Sequence, residues 1–448
     1  MKIEIIDPTV CKVIEDREEL AAFLSITEEK YFKKGKDFGK TNYQKEVSLV
    51  DKEGFFLAGW LPRILKRFPD TKIIGEEQKL KFNKKIDPPG ITLFDDQRKQ
   101  ILPALEKQRG IIKAPTGTGK TVLLYALANC FKTKKVLILF PLEAIFSQTV
   151  KDFKEWGANI SEVKAGKKDL SGQIVLAMDK SFKNITAEDY CGIFDVVLID
   201  EAHHVSTLDG TYHKILTQML APVRIGVTAS PHSPKTNKGV ICEGLLGPII
   251  SEFTIEEAVK NKRLATPTLK LISVPKNSNT KELYTYKDIY YVSVVKNSYR
   301  NSLIADYLIK KVVPNKETAI VFTYMIKHAE ALQETLVKKG IKSKIVHGDI
   351  KKNEREIIKT QLERKEIDCV IATAAWKEGL NVKSLNTIIN AAGYKDGNPV
   401  VQMAGRCLRI IPGEKEKATV VDFLDLGKYL SEHSIQRLQT YQSLGWIE

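Results

Sequence analysis

The octet Ala114-Pro115-Thr116-Gly117-Thr118-Gly119-Lys120-Thr121 lies between a strand-like run at 110–113 and a helix-like run at 122–127. A glycine-rich turn in this setting bends backbone N–H groups inward around an anion, and the start of the following helix adds positive potential. Thr116, Gly117, Thr118 and Gly119 make the cradle. Lys120 reaches the β- and γ-phosphates of a nucleotide, and the Thr121 hydroxyl suits Mg²⁺. Ala114 stands where the usual pattern has glycine, but the order of strand, loop and helix is intact. Such a loop belongs at the carboxyl edge of a parallel α/β sheet.

Partners for the loop follow in order. The apolar run Phe194-Asp195-Val196-Val197-Leu198-Ile199 ends in Asp200-Glu201-Ala202-His203. A buried parallel strand delivers its last residues to the edge that holds the phosphate loop. There Asp200 can hold the Mg²⁺ shell, and Glu201 can orient and deprotonate an attacking water. Alone, these acids would read as a cap after a strand. His203 either couples the nucleotide site to motion or simply packs. His203 and His204 have no further ligands at useful spacing, which argues against zinc. A later strand, 224–227, ends in Thr228-Ala229-Ser230-Pro231, and the Thr228 and Ser230 hydroxyls are placed to relay a change at the γ-phosphate. Far downstream, Gln402-Met403-Ala404-Gly405-Arg406-Cys407-Leu408-Arg409 sets Arg406 and Arg409 on one helix face. Beside Gln402, this pair fits arginine fingers that stabilise transition-state charge.

In this order the motifs resemble those of superfamily 2 nucleic-acid helicases of the DExH/DEAH kind, from about Leu93 to Arg409. The resemblance implies ATP and Mg²⁺ as cofactors and two RecA-like parallel-sheet motor domains in tandem. ATP would sit between Lys120, Asp200 and Glu201 on one side and Arg406 and Arg409 on the other, so that closing the cleft assembles the site and hydrolysis removes the γ-phosphate that held it shut. Gln97 resembles the adenine-reading glutamine, with Asp96 where an aromatic is usual. Pro141 and Gln148 resemble the motif that holds the strand backbone. Val321-Phe322-Thr323-Tyr324 and the stretch from Ile371-Ala372-Thr373 to Glu378-Gly379-Leu380-Asn381 resemble the second motor domain's motifs. Thr323 and Thr373 would then contact phosphates, and Gly379 and Asn381 the nucleotide, Asn381 replacing the usual Asp.

Length and composition bound the rest. At 448 residues, two or three domains with real cores are expected: a small α+β unit at 1–89 and motor domains at 90–252 and 253–448. An excess of basic residues, formally +15, favours a polyanionic partner. Six scattered cysteines without a Cys-x-x-Cys pair read as buried apolar residues in a reducing compartment, with no zinc or iron–sulfur module. No long apolar core opens the chain and no stretch reaches membrane length, so a soluble, intracellular protein is expected; the helicase resemblance implies that it is cytoplasmic and DNA-associated, in the host cytoplasm if a phage encodes it.

In the small unit, runs at 46–50 and 55–59 around Asp51-Lys52-Glu53-Gly54 suggest a hairpin, and 61–68 a short helix with Pro62 in its first turn. The segment Tyr31–Lys45 interleaves aromatics with Lys33, Lys34, Lys36 and Lys40, which suits phosphates and exposed bases but equally a solvated loop. A small domain before the motors resembles UvsW-type phage recombination helicases and, more distantly, XPB-like repair helicases. Asp422-Phe423-Leu424-Asp425 with Arg437, Tyr441 and Gly445 fits that group. This finer resemblance implies forked and four-way DNA as substrates. The short connection from Asn390 to Gln402 leaves little room for a strand-splitting hairpin. Alternatives are the motor of a restriction-type complex, an RNA helicase, or a nucleic-acid-binding protein switched by ATP without unwinding.

Overall fold

A computed structural model describes residues 1–30, 43–373, 382, 385–393, 395, 400, 404, 405, 407, 408, 410 and 417–447. The chain divides into two compact units, one of Met1–Ala114 with Gly119–Phe253, the other of Thr254–Glu448 with Pro115–Thr118.

In the first unit an eight-stranded sheet runs Lys167–Lys168, Ile160–Lys164, Ile174–Met178, Val136–Phe140, Val196–Asp200, Val223–Thr228, Arg109–Lys113 and Ile249–Glu252. All pairings are parallel except that of Lys167–Lys168 with its neighbour. The strand Val196–Asp200 is buried along its length, as strands covered on both faces must be. Alternation along each strand splits the apolar side chains between two cores. Ile138, Phe140, Val196 and Leu198 enter one, while Leu137, Leu139, Val197 and Ile199 enter the other.

Ahead of this sheet, four short strands order as Phe55–Leu57, Val10–Glu15, Lys2–Ile5 and Lys72–Ile74 around their own core of Ile3, Val13, Phe56 and Trp60. The expected turn at Asp51–Gly54 forms, with Gly54 at φ 90° and its N–H donating to Asp51 O. The hairpin does not. Tyr43–Ser48 pairs instead with Ser25–Lys30, and Phe55–Leu57 pairs with Val10–Glu15. A local turn specifies reversal of the chain, whereas strand partners are chosen by apolar faces far away in sequence. The short helix is found at Leu61–Arg67 with proline in its first turn.

The amino-terminal sheet is tied to the larger one by close backbone approach and buried polar bonds. Trp60 Nε1 donates to Val240 O at 2.7 Å, and Arg63 pairs with Glu243. A Cβ on Gly244 would fall 2.4 Å from the Trp60 ring, so the helix Asn237–Leu246 can dock only with glycine there. Arg224, wholly buried on its strand, donates to Met219 O and, at 2.6 Å, to Oγ1 of Thr9, the residue before the strand Val10–Glu15 of the amino-terminal sheet.

The second unit carries six parallel strands in the order Thr266–Val274, Lys417–Asp425, Leu385–Asn390, Thr318–Phe322, Cys369–Ala372 and Ser343–Val346. Its last strand anchors two buried guanidiniums. Arg300 Nε donates to Asp425 Oδ1 at 2.7 Å, and Arg437 Nε, from the helix Leu430–Ser443, donates to Asp422 Oδ2 at 2.8 Å beside the Tyr441 hydroxyl. All six cysteines are free, and Cys191 alone of them is only half-buried. Among the described residues no helix is long and apolar enough to cross a membrane, and no group of three His, Cys, Asp or Glu could hold a metal ion.

Gly244 separates two expectations. Helix propensity says Gly244→Ala should stabilise by about 1 kcal/mol, whereas overpacking against Trp60 should cost about 1–3 kcal/mol. We expect net loss of stability in denaturant titration, reversed in sign when Trp60 is also replaced by leucine.

Candidate functional site

The phosphate loop leaves the strand Arg109–Lys113 and enters the helix Lys120–Cys130. Gly117 and Gly119 both adopt φ 92°, a left-handed conformation that L side chains rarely take, and Gly119 is the residue before the first helical turn. Thr118 is buried and its hydroxyl donates to Pro115 O at 2.8 Å, closing the loop on itself. Lys120 and Thr121 are thereby the first two residues of the helix, at its positive end.

Two strands away, Val196–Asp200 ends at the same edge. Glu201 turns the chain with φ 48° and ψ 51°, a conformation costly for a residue with a side chain and concentrated at functional sites. The short turn Ala202–His204 that follows packs on the neighbouring strand. A Cβ on Gly226 would lie 2.6 Å from the Ala202 Cβ, so glycine is needed there for the turn to sit down. Glu201 then faces Lys120, with Oε1 3.9 Å from Nζ, and its Oε2 lies 3.4 Å from His203 Nδ1. The same Nδ1 is 2.9 Å from Thr228 Oγ1, which also accepts from Ser230 N–H at 3.3 Å. Lys120, Glu201, His203, Thr228 and Ser230 are thus one chain of polar contacts along the sheet edge.

Burial sets the charge states. Asp200 is nearly inaccessible; burial and the adjacent Glu201 raise its carboxyl to about 7 against the opposing pull of Lys120. Burial drives His203 down to about 4, with Glu201 opposing, so its imidazole is neutral near pH 7. A neutral ring beside a carboxylate and a hydroxyl can exchange partners without gaining charge. Chemically, the set offers a cation for phosphate charge, a buried carboxyl suited to a hard cation, and a second carboxylate for the proton of a water.

One member was missed by sequence reasoning. His232 Nε2 donates to His203 O at 3.0 Å, a further hold on the turn, and burial lowers its pKa as well. It lies just past the Thr228–Ser230 motif, but a lone histidine after a proline carries no pattern that could announce the contact.

The other expected residues fall in varied places. Gln97 is buried in the first turn of the helix Asp95–Lys107, where its Oε1 accepts from Phe94 N–H at 3.1 Å. Pro141 is buried just past Val136–Phe140, while Gln148 is exposed on the helix Glu143–Glu155 and donates to Asp152. In the second unit Thr323 and Thr373 follow adjacent strands at the carboxyl edge, and both are buried. Gly379, Asn381, Gln402, Arg406, Arg409, Lys33, Lys34, Lys36 and Lys40 lie outside the described residues.

Comparison with known proteins finds matches in both halves of the chain. Residues 80–233 match the family model described as type III restriction enzyme, res subunit, and residues 301–411 match the helicase conserved C-terminal domain. The chain is 23% identical over 360 residues to the DNA 3'-5' translocase XPB2 of Sulfurisphaera tokodaii, covering 71% of this chain and 79% of that protein. It is 25% identical over 392 residues to the ATP-dependent DNA helicase uvsW of Enterobacteria phage T4, covering 80% and 76%. Among solved structures, the helicase domain of Hef from Pyrococcus furiosus superposes with a TM-score of 0.52 at 15% identity, covering 77% of this chain and 97% of that one. The S. cerevisiae Dbp5 structure gives 0.56 at 14%, covering 79% and 88%. These structural likenesses bear on the fold alone, an α/β architecture with two RecA-like domains.

The His232 contact has a measurable consequence. His232→Ala should raise amide exchange across 201–205 by roughly five- to tenfold, the worth of one net hydrogen bond. His232→Gln, which keeps an N–H donor, should recover part of the protection. Unchanged exchange in His232→Ala would show that the His232 contact does not hold the turn.

Proposed function

We propose that this chain is a superfamily 2 ATP-driven DNA helicase or translocase that remodels forked and four-way DNA during recombination, repair or replication. The observation that carries the reading is the unbroken polar chain from Lys120 through Glu201 and His203 to Thr228 on one sheet edge. It joins a phosphate-binding group to a hydrolytic carboxylate and then to a strand end that can move.

Each residue has a defined task in this reading. The loop N–H groups and Lys120 bind the phosphates. Glu201, whose carboxylate lies between Lys120 and His203, takes the proton of the attacking water. His203 passes the state of Glu201 to Thr228 and Ser230. The buried Asp200 carboxyl and the Thr121 hydroxyl are hard oxygen donors and would hold Mg²⁺ beside the phosphates. When bound, Mg²⁺ neutralises charge on the β- and γ-phosphates. Gln402, Arg406 and Arg409 complete the proposed hydrolytic set, with Gly379 and Asn381 on the nucleotide.

The relatives named as DNA translocase and DNA helicase support DNA as the polymer acted on. The restriction-type match is confined to residues 80–233 and so bears on the motor rather than on any nuclease. We take 1–89 as the substrate-reading portion and 90–252 and 253–448 as the motors, acting in the cytoplasm where DNA is accessible. Pro141, Gln148, Thr323, Thr373 and the lysines 33, 34, 36 and 40 are the proposed nucleic-acid contacts.

Two measurements test the reading. Lys120→Ala should lose nucleotide binding, whereas Glu201→Gln should bind ATP and stall single-turnover hydrolysis. Arg406→Ala should cut turnover by roughly three orders of magnitude with binding largely kept. Near-normal turnover in Glu201→Gln would remove its assigned role. Separately, ATPase stimulation compared across single-stranded, duplex, forked and four-way DNA, with matched RNA, should be strongest on branched DNA. Equal stimulation by RNA, or none by branched DNA, would overturn the substrate assignment.

A further inference from the structure

Tyrosines from three separate parts of the second unit converge beyond one edge of its sheet. The strands Thr266–Val274, Thr318–Phe322 and Lys417–Asp425 run parallel, so their carboxyl ends share an edge. The chain leaving the first carries Tyr284, Tyr286 and Tyr290, that leaving the second carries Tyr324, and that leaving the third carries Lys428 and Tyr429. Tyr290 is the anchor. It is buried, and its hydroxyl donates to Ala392 O at 2.6 Å. Tyr286 lies 5.7 Å from it between ring centroids and Tyr324 lies 6.3 Å away, while Tyr429 lies 6.0 Å from Tyr286. The Tyr429 hydroxyl donates to Tyr284 O at 3.2 Å.

The outer rings face water: Tyr284 is 76% exposed, Tyr324 58%, Tyr286 42% and Tyr429 37%. Scattered exposed apolar residues need no explanation, but a contiguous cluster marks a binding surface. Its position strengthens the point, because ligands of open α/β sheets bind beyond the carboxyl ends of strands. Charge selects the ligand. Lys428 Nζ stands 5.9 Å over the Tyr284 ring and 5.2 Å over the Tyr429 ring, so the platform carries its own cation. Flat rings beside an ammonium match a base and its phosphate.

We propose that this tyrosine cluster is a base-stacking platform for unpaired nucleotides, a site that rests on the reading of the chain as a DNA motor. Every base offers a π-face, so the platform holds a strand without reading its sequence. Bases within a duplex are already stacked on one another, so the surface favours nucleotides freed from pairing, as at a fork. Tyr324 directly follows Thr323, which puts the stacking surface one residue from a proposed phosphate contact on the same strand end.

The test uses the full chain with Tyr284→Leu/Tyr324→Leu and Tyr284→Phe/Tyr324→Phe double variants, both at exposed positions. The probes are oligothymidylate carrying one 5-iododeoxyuridine for photo-cross-linking and a blunt duplex of equal length. The leucine variant should lose single-strand affinity by roughly tenfold or more, lose cross-links to 284 and 324, and bind duplex as the wild type does. The phenylalanine variant should keep single-strand affinity, because it keeps the rings. Unchanged single-strand affinity in the leucine variant, or cross-links elsewhere only, would overturn the platform and leave a surface for a protein partner. A wild-type protein that stacks single strands through these rings yet shows no DNA-stimulated ATPase would uphold the platform and sink the motor reading.

Discussion

The candidate site depends on one contact, the Ala202 methyl seated on the bare backbone of Gly226. Strand Val196–Asp200 is buried throughout, and its chain must turn sharply at the sheet edge to leave two acids there. The turn is possible because Glu201 accepts a left-handed backbone and because Gly226 leaves room for the residue after it. Strain of about 1–3 kcal/mol at such a residue persists only where the surroundings fix it. Here the surroundings are identifiable: the packed methyl below, the Thr228 hydroxyl beside His203 and the His232 ring on the His203 carbonyl.

That geometry also explains why two neighbouring acids differ. Asp200 remains on the strand, sealed in, and burial pushes its carboxyl up to about 7. Glu201 is turned outward toward Lys120 and His203, where a cation can meet it. One residue of displacement along the chain thus separates a group suited to metal from a group suited to a proton. The same burial keeps His203 neutral, so its contact with Glu201 is not a fixed ion pair.

What the sequence made legible was local. The strand–loop–helix around Lys120 and the buried strand ending in Asp200 follow from residue types at short spacing, and both elements are present. Contacts between distant segments were not legible. The turn at Asp51–Gly54 was readable, yet the partners of its flanking strands were not, because they are chosen by faces formed from Val10–Glu15 and Ser25–Lys30. His232, the Trp60–Gly244 contact and the tyrosine cluster depend on residues tens to hundreds of positions apart. Single side chains in those places carry no period or spacing to read.

Buried guanidiniums show how such distant contacts become specific. Arg224 has no carboxylate among its hydrogen-bond acceptors, which are Thr9 Oγ1, Met219 O and Ala221 O. In the second unit Arg300 and Arg437 instead meet Asp425 and Asp422 on the last strand. A buried charge left without acceptors is far costlier than one never buried, so each pairing penalises alternative dockings more than it stabilises the right one. In the first unit this logic makes the amino-terminal sheet part of the motor's own architecture, since withdrawing Thr9 would strip an acceptor from a charge on the strand that ends in Thr228. A change in how the amino-terminal sheet is held therefore has a direct covalent route, along Val223–Thr228, to the hydroxyl that meets His203.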